Sequence, residues 1–101
     1  MDRLEIAAEE IRAKLDVQTT ARDKALSVSR TLIQHCSKAI RAVHRDDDAG
    51  VKEHLKESAA LAKALKDDLV DHPDPFFTGY TQDALKEYVE AEVTCALIKN
   101  K

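Results

Sequence analysis

Between Lys24 and Arg45 the chain carries five cations, Lys24, Arg30, Lys38, Arg41 and Arg45, and no acid. On a helical wheel Arg30, Gln34, Lys38, Arg41 and Arg45 fall within about 80° of one another, with Ser29, Leu32, Cys36, Ile40 and Val43 opposite. A row of cations at helical rise suits a phosphate backbone, and guanidinium groups add bidentate geometry. His44, beside Arg45, can reach the same phosphates. A solvated helix face is the plainer reading, but helix surfaces usually mix signs and this one does not. The formal charge of -3 hides the asymmetry, because Asp46 to Lys101 holds 13 acids and 7 bases.

A second group is acidic. Asp83, Glu87 and Glu90 sit at i, i+4 and i+7, on one face of a helix. Like charges at that spacing weaken an isolated helix by a few tenths of a kcal/mol. Clustered carboxylates can hold Mg²⁺, which takes oxygen ligands and keeps several waters, and a metal so held activates water for phosphodiester cleavage. The plainer reading is an exposed acidic face paired with lysines elsewhere. His35, His44, His54 and His72 show no zinc spacing, and the absence of any Glu-x-x-His argues against a ferritin-like di-iron bundle. Cys36 and Cys95 are far apart and outside any Cys-x-x-Cys, so they read as small buried hydrophobes in a reducing cytosol.

The elements that must position these groups are helices. The 101 residues include two Gly, two Pro, four aromatics and no Trp. Too few turn formers are present for a β sandwich, and two glycines build neither a Rossmann nor a P-loop phosphate cradle. No apolar run approaches the ~18 residues of a membrane span, and Met1-Asp2-Arg3-Leu4-Glu5 is no signal-peptide core, so a cytoplasmic location is expected.

From Asp2 to Asp48 there is neither Gly nor Pro. Leu4, Ile11, Gln18, Ala25, Leu32 and Ala39 form one heptad row, and Ala8, Leu15, Arg22, Ser29, Cys36 and Val43 a second. The pattern predicts a helix over 3–45, with Gln18-Thr19-Thr20 as its weak point and a candidate kink. At 1.5 Å per residue it spans about 60 Å, longer than a compact domain of this size is wide. It therefore calls for partners beyond its own chain or for a missing part of its own chain, and its N-terminal apolar residues make self-association the expectation. Asp46-Asp47-Asp48 reads as a turn and helix cap. A second helix is expected over 49–71, burying Val51, Leu55, Ser58, Ala62, Leu65 and Leu69, and His72-Pro73-Asp74-Pro75 stops it. Phe76, Phe77 and Tyr80 should anchor the connection to a third helix, Thr81 to Lys99. The fold expected is an all-α antiparallel bundle of three helices with a very long first helix.

Three stretches together resemble the translin family. They are Ser29-Arg30 with Lys38-Ala39-Ile40-Arg41-Ala42-Val43-His44-Arg45; Asp71-His72-Pro73 with Phe77-Thr78-Gly79-Tyr80; and Asp83-Ala84-Leu85-Lys86-Glu87-Tyr88-Val89-Glu90-Ala91. The last is similar to a helix of archaeal translin-like proteins and of translin-associated factor X. The resemblance implies a helical protein that oligomerises into a hollow shell and binds single-stranded RNA or DNA. In the active branch it implies a Mg²⁺-dependent endoribonuclease, with Glu87 and Glu90 matching the catalytic, metal-binding glutamates and Asp83 a candidate additional ligand. Arg30, Lys38, Arg41, His44 and Arg45 become the expected nucleic-acid contacts. Binding without catalysis and a helical scaffold without nucleic acid are the alternatives. Family chains are longer and carry a further catalytic acid in C-terminal helices, so residues 1–101 are expected to form an incomplete translin-like domain.

Overall fold

A computed structural model describes residues 2–71 and 78–100. It is an all-α bundle of three helices, α1 (Arg3–His44), α2 (Asp48–Asp71) and α3 (Thr78–Lys99), with no strand among the described residues. Asp2 opens α1 as its cap, its Oδ1 accepting the Glu5 N–H at 2.8 Å. The helix then runs 42 residues without a break. Gln18-Thr19-Thr20 does not interrupt it. The longest dimension of the molecule is 69 Å against 19 and 15 Å across.

The turn that reverses the chain is closed from both sides. Asp46 takes a left-handed conformation, φ 58°, beyond the end of α1. The Asp46 N–H donates to the Val43 carbonyl at 3.3 Å and the Asp47 N–H to the Ala42 carbonyl at 2.9 Å. These are the two bonds of a Schellman ending, which satisfies the last carbonyls of a helix. Asp47 Oδ1 in turn accepts the Gly50 N–H at 3.0 Å, capping α2. A Cβ on Gly50 would stand 2.9 Å from Asp47 Cγ and 3.3 Å from Ala42 Cβ, so the absent side chain leaves the cap its room.

The buried face of α1 is the expected double row, Ala25, Ser29, Leu32, Cys36, Ala39 and Val43, with Ala42 added beside it at the turn. Facing it are Val51, Ser58, Ala62 and Leu65 of α2 and Thr81, Ala84, Ala91 and Cys95 of α3. Most are small, so helix backbones approach closely, and Cys36 Sγ meets Ser58 Oγ at 3.8 Å while Ser58 donates to the His54 carbonyl at 2.7 Å. The side chain of Leu69 lies outside the described set.

α3 begins three residues earlier than its pattern suggests. Tyr80, half-buried, donates its hydroxyl to the Arg22 carbonyl of α1 at 3.3 Å, and Thr81 is fully buried, so the first turn is held by tertiary contact despite Gly79. Tyr80 anchors the helix start as expected; Phe76 and Phe77, like His72 to Pro75, lie outside the described residues.

The bundle covers α1 only from about Ala21 onward. Every described residue from Asp2 to Thr20 is exposed. A hollow of about 400 Å³, lined by Val17, Thr20, Ala21 and Lys24 of α1 and Asp68 of α2, marks where the second layer stops. Beyond it α1 projects as a bare arm.

Candidate nucleic-acid interface

Arg30, Lys38, Arg41 and His44 are exposed on α1, and Arg45 is exposed at its C-cap; none belongs to the buried face of the helix. The turn geometry above explains why the far end of the row meets α2. Lys38, Arg41 and Arg45 line one open cleft of about 370 Å³, whose other wall is His54 of α2. Arg30 stands apart, in a hollow of about 440 Å³ with Asp23, Leu26, Ser27 and Thr31. Arg45 leans toward the cap residue Asp47, with 3.9 Å between Nη2 and Oδ2. Both side chains are about half exposed or more, so solvent and salt screen the pair and Arg45 stays available.

His54 was not legible as part of this cleft. Its Nδ1 lies 3.1 Å from Nδ1 of His35, with ring centroids 5.3 Å apart. One ring must donate and the other accept, so in the neutral pair the two imidazoles carry opposite tautomers. The pair ties α1 to α2 beside the basic cleft, which His54 lines. No spacing within either helix reveals it. The signal is the hairpin, which sets residues at similar distances from the 45–47 turn side by side.

The acidic line lies elsewhere. Asp83, Glu87 and Glu90 are exposed on α3. They line neither hollow that the cations line. Among the described residues no three His, Cys, Asp or Glu side chains come together to hold a metal ion. Glu87 sits close enough to the core seam to act on it: burial pushes the Cys36 thiol up, its hydrogen bond to Ser58 pulls it down, and the Glu87 carboxylate adds to the rise. A thiol kept protonated in this way is a weak nucleophile. Further along α3, burial and a 2.7 Å hydrogen bond to Glu92 push the Tyr88 phenol up to about 12. Burial raises Cys95 as well, with Glu92 adding to it. Glu92 is thus engaged with its own helix, while Glu87 and Glu90 project from its other side.

No protein-family model, curated protein or solved structure matches this chain. No helix among the described residues is long and apolar enough to cross a membrane.

Proposed function

We propose that this chain is a translin-like protein that binds single-stranded RNA or DNA through the basic face of α1. The observation that carries the reading is the cleft in which Lys38, Arg41 and Arg45 converge, on a helix stretch with no acid from Lys24 to Arg45. Three cations along about 10 Å of helix match successive phosphates of a flexible strand, and none of them is buried in a fixed pairing that would demand one base sequence. His44 and Arg30 extend the track at either end. On this reading the protein works in the cytoplasm and as a homo-oligomer, and the exposed Leu4, Ile11 and Leu15 of the arm support the second of these.

The test is binding of labelled single-stranded RNA of several unrelated sequences across a salt series. Charge reversal at Arg41 and Arg45 should weaken all of them alike and flatten the salt slope by about one unit per lost contact. Unchanged affinity would reject the interface.

A second reading adds cleavage, and the paired exposed carboxylates of Glu87 and Glu90 on α3 favour it. Mg²⁺ needs only one or two carboxylates, its remaining positions being filled by water and substrate phosphate, so Glu87 and Glu90 fit it, with Asp83 one turn earlier as a helper. Bound there, the ion would supply Lewis-acid catalysis and an activated water. The chain's own part is to hold both carboxylates one helical turn apart on a solvent-facing surface that a phosphodiester can approach. Glu87→Gln and Glu90→Gln should each abolish Mg²⁺-dependent cleavage and leave RNA binding intact or tighter. Parental cleavage in both variants would show that Glu87 and Glu90 do not carry it and would remove the observation that favours the nuclease reading.

A further inference from the structure

We infer that the bare arm of α1 pairs antiparallel with the arm of a second copy, setting Leu4 opposite Leu15, Ala8 opposite Ile11 and Glu5 opposite Arg12. The inference specifies the self-association proposed above and does not depend on nucleic acid.

The apolar face of the arm is no separate feature. It is the same double row that forms the core of the bundle, continued toward the N-terminus. In the bundle that row is buried at Ala25, Leu32, Cys36, Ala39 and Val43; in the arm Leu4 is 80 % exposed, Ile11 60 % and Leu15 56 %. A seam built for knobs-into-holes packing thus runs on with no partner among the described residues.

Three arguments select a second arm as the occupant. The first is room. Past Ala21 the seam is filled by α2 and α3, so a parallel copy would run into them. In the antiparallel register the two arms overlap from Asp2 to Val17, which uses the free seam and stops where the layers begin. The second is shape. In this register every layer pairs one heptad row with the other, as antiparallel helices require, and two large pairs, Leu4 with Leu15, flank two small-with-large pairs, Ala8 with Ile11. Shifting one heptad would set Leu4 against Arg22, which the bundle already half-buries. The third is charge. The flanking positions bring Glu5 to Arg12 of the second copy and, by the two-fold symmetry, Arg12 to its Glu5; the other flank brings Lys14 only to Ala7. The competing apolar stripe, Val89, Val93 and Leu97 of α3, has no such match. Residues 78–99 hold four acids and two lysines, so that face would meet an acidic arm, or its own copy, with like charge.

Two heptads make a small interface, below the ~1,200 Å² of stable complexes, so association belongs in the micromolar range. The test is sedimentation velocity of the full chain from one to several hundred micromolar, without RNA. Ile11→Asp should weaken association at least tenfold, and Ile6→Asp, on the arm's outer side, should not. Glu5→Arg and Arg12→Glu should each weaken it, and the double variant should restore it. Circular dichroism checks that each variant keeps its helices. A chain that stays monomeric throughout overturns self-association itself. A dimer indifferent to Ile11→Asp, one lost on Val93→Asp, or a charge swap without restoration overturns the arm pairing and leaves some other mode of self-association.

Discussion

The two ends of α1 carry one pattern and meet two environments. From Ala25 to Val43 the double row lies under α2 and α3, and Leu32 is completely buried. From Leu4 to Leu15 the row has the same spacing and larger side chains, yet it faces water. A heptad pattern therefore fixes which side of a helix is apolar and says nothing about what covers it. Among the described residues, coverage is set by how far α2 reaches back. The turn at Asp46 to Asp48 reverses the chain, α2 runs back 24 residues, and whatever α1 extends beyond that is left bare.

The largest effect should come from testing the two ends with the same substitution. Leu32→Ala empties a sealed core site and should cost about 3 kcal/mol, a large share of what a domain this size has. Leu15→Ala in the arm should change the stability of the monomer by less than about 0.5 kcal/mol. Urea melts at low micromolar concentration measure both. Equal losses would mean that the arm is covered even in the monomer.

A smaller effect is expected at the turn that decides where coverage ends. Gly50→Ala places a Cβ against the Asp47 carboxylate that caps α2, and the ring of contacts includes Ala42. The cap must move, at a cost of about 1 kcal/mol despite the better helix propensity of alanine. Asp47→Ala should cost about the same for the same reason. If Gly50→Ala proves stabilising, the cap is dispensable and the hairpin is held by its core alone.

Much of this was legible in the sequence, and the rest was not for definable reasons. The three helices and the buried row of α1 followed from Gly and Pro placement and from heptad spacing. The early start of α3 did not, since Tyr80 and Thr81 hold that turn by contacts to a segment far away in sequence. The exposed cations followed from the wheel, but their grouping did not. Lys38, Arg41 and Arg45 share a cleft, and Arg30 is separate, because His54 of α2 closes one side at a position that only the hairpin defines. Likewise, the wheel placed Asp83, Glu87 and Glu90 on one face of α3. A cleavage site requires that face to open on the same cavity as the cations, and neither hollow the cations line includes those acids, because the packing of α3 on α1 decides where the face points.

Alkaline titration separates bundle from arm without any mutation, because both tyrosines are on α3 and the arm has none. Burial leads the rise at each, assisted by Glu92 at Tyr88 and by Asp23 at Tyr80, where Arg22 opposes it. A phenol that holds its proton more tightly when folded contributes stability in full below its unfolded value of about 10. That contribution is lost as pH climbs through about 12, the value at Tyr88. Phenolate absorbance should therefore appear late, and unfolding should follow it between those limits. Tyr88→Phe should remove the part of the pH slope that extends toward about 12 and leave the part due to Tyr80 and the buried thiols Cys36 and Cys95. Absorbance rising at the ordinary value, with no link to unfolding, would show that neither ring is held as described.

The smallest effect compares single seats in the two halves of the row. Ser29 is 2 % exposed in the core, and its hydroxyl finds no hydrogen-bond partner. A buried hydroxyl without a partner loses its water and gains nothing in return, so Ser29→Ala should stabilise the chain by up to about 1 kcal/mol, with a part of that from helix propensity. Ala8 occupies the equivalent seat in the arm, where a hydroxyl keeps its water. Ala8→Ser should cost the monomer only the propensity difference, a few tenths of a kcal/mol. The asymmetry is the point of the pair: the same exchange of methyl and hydroxymethyl matters where α2 and α3 exclude water and scarcely matters where they do not. Loss of stability in Ser29→Ala would mean that the hydroxyl has a partner in solution, such as a water between the helices, and that the core end of the row is less tightly sealed than its burial indicates.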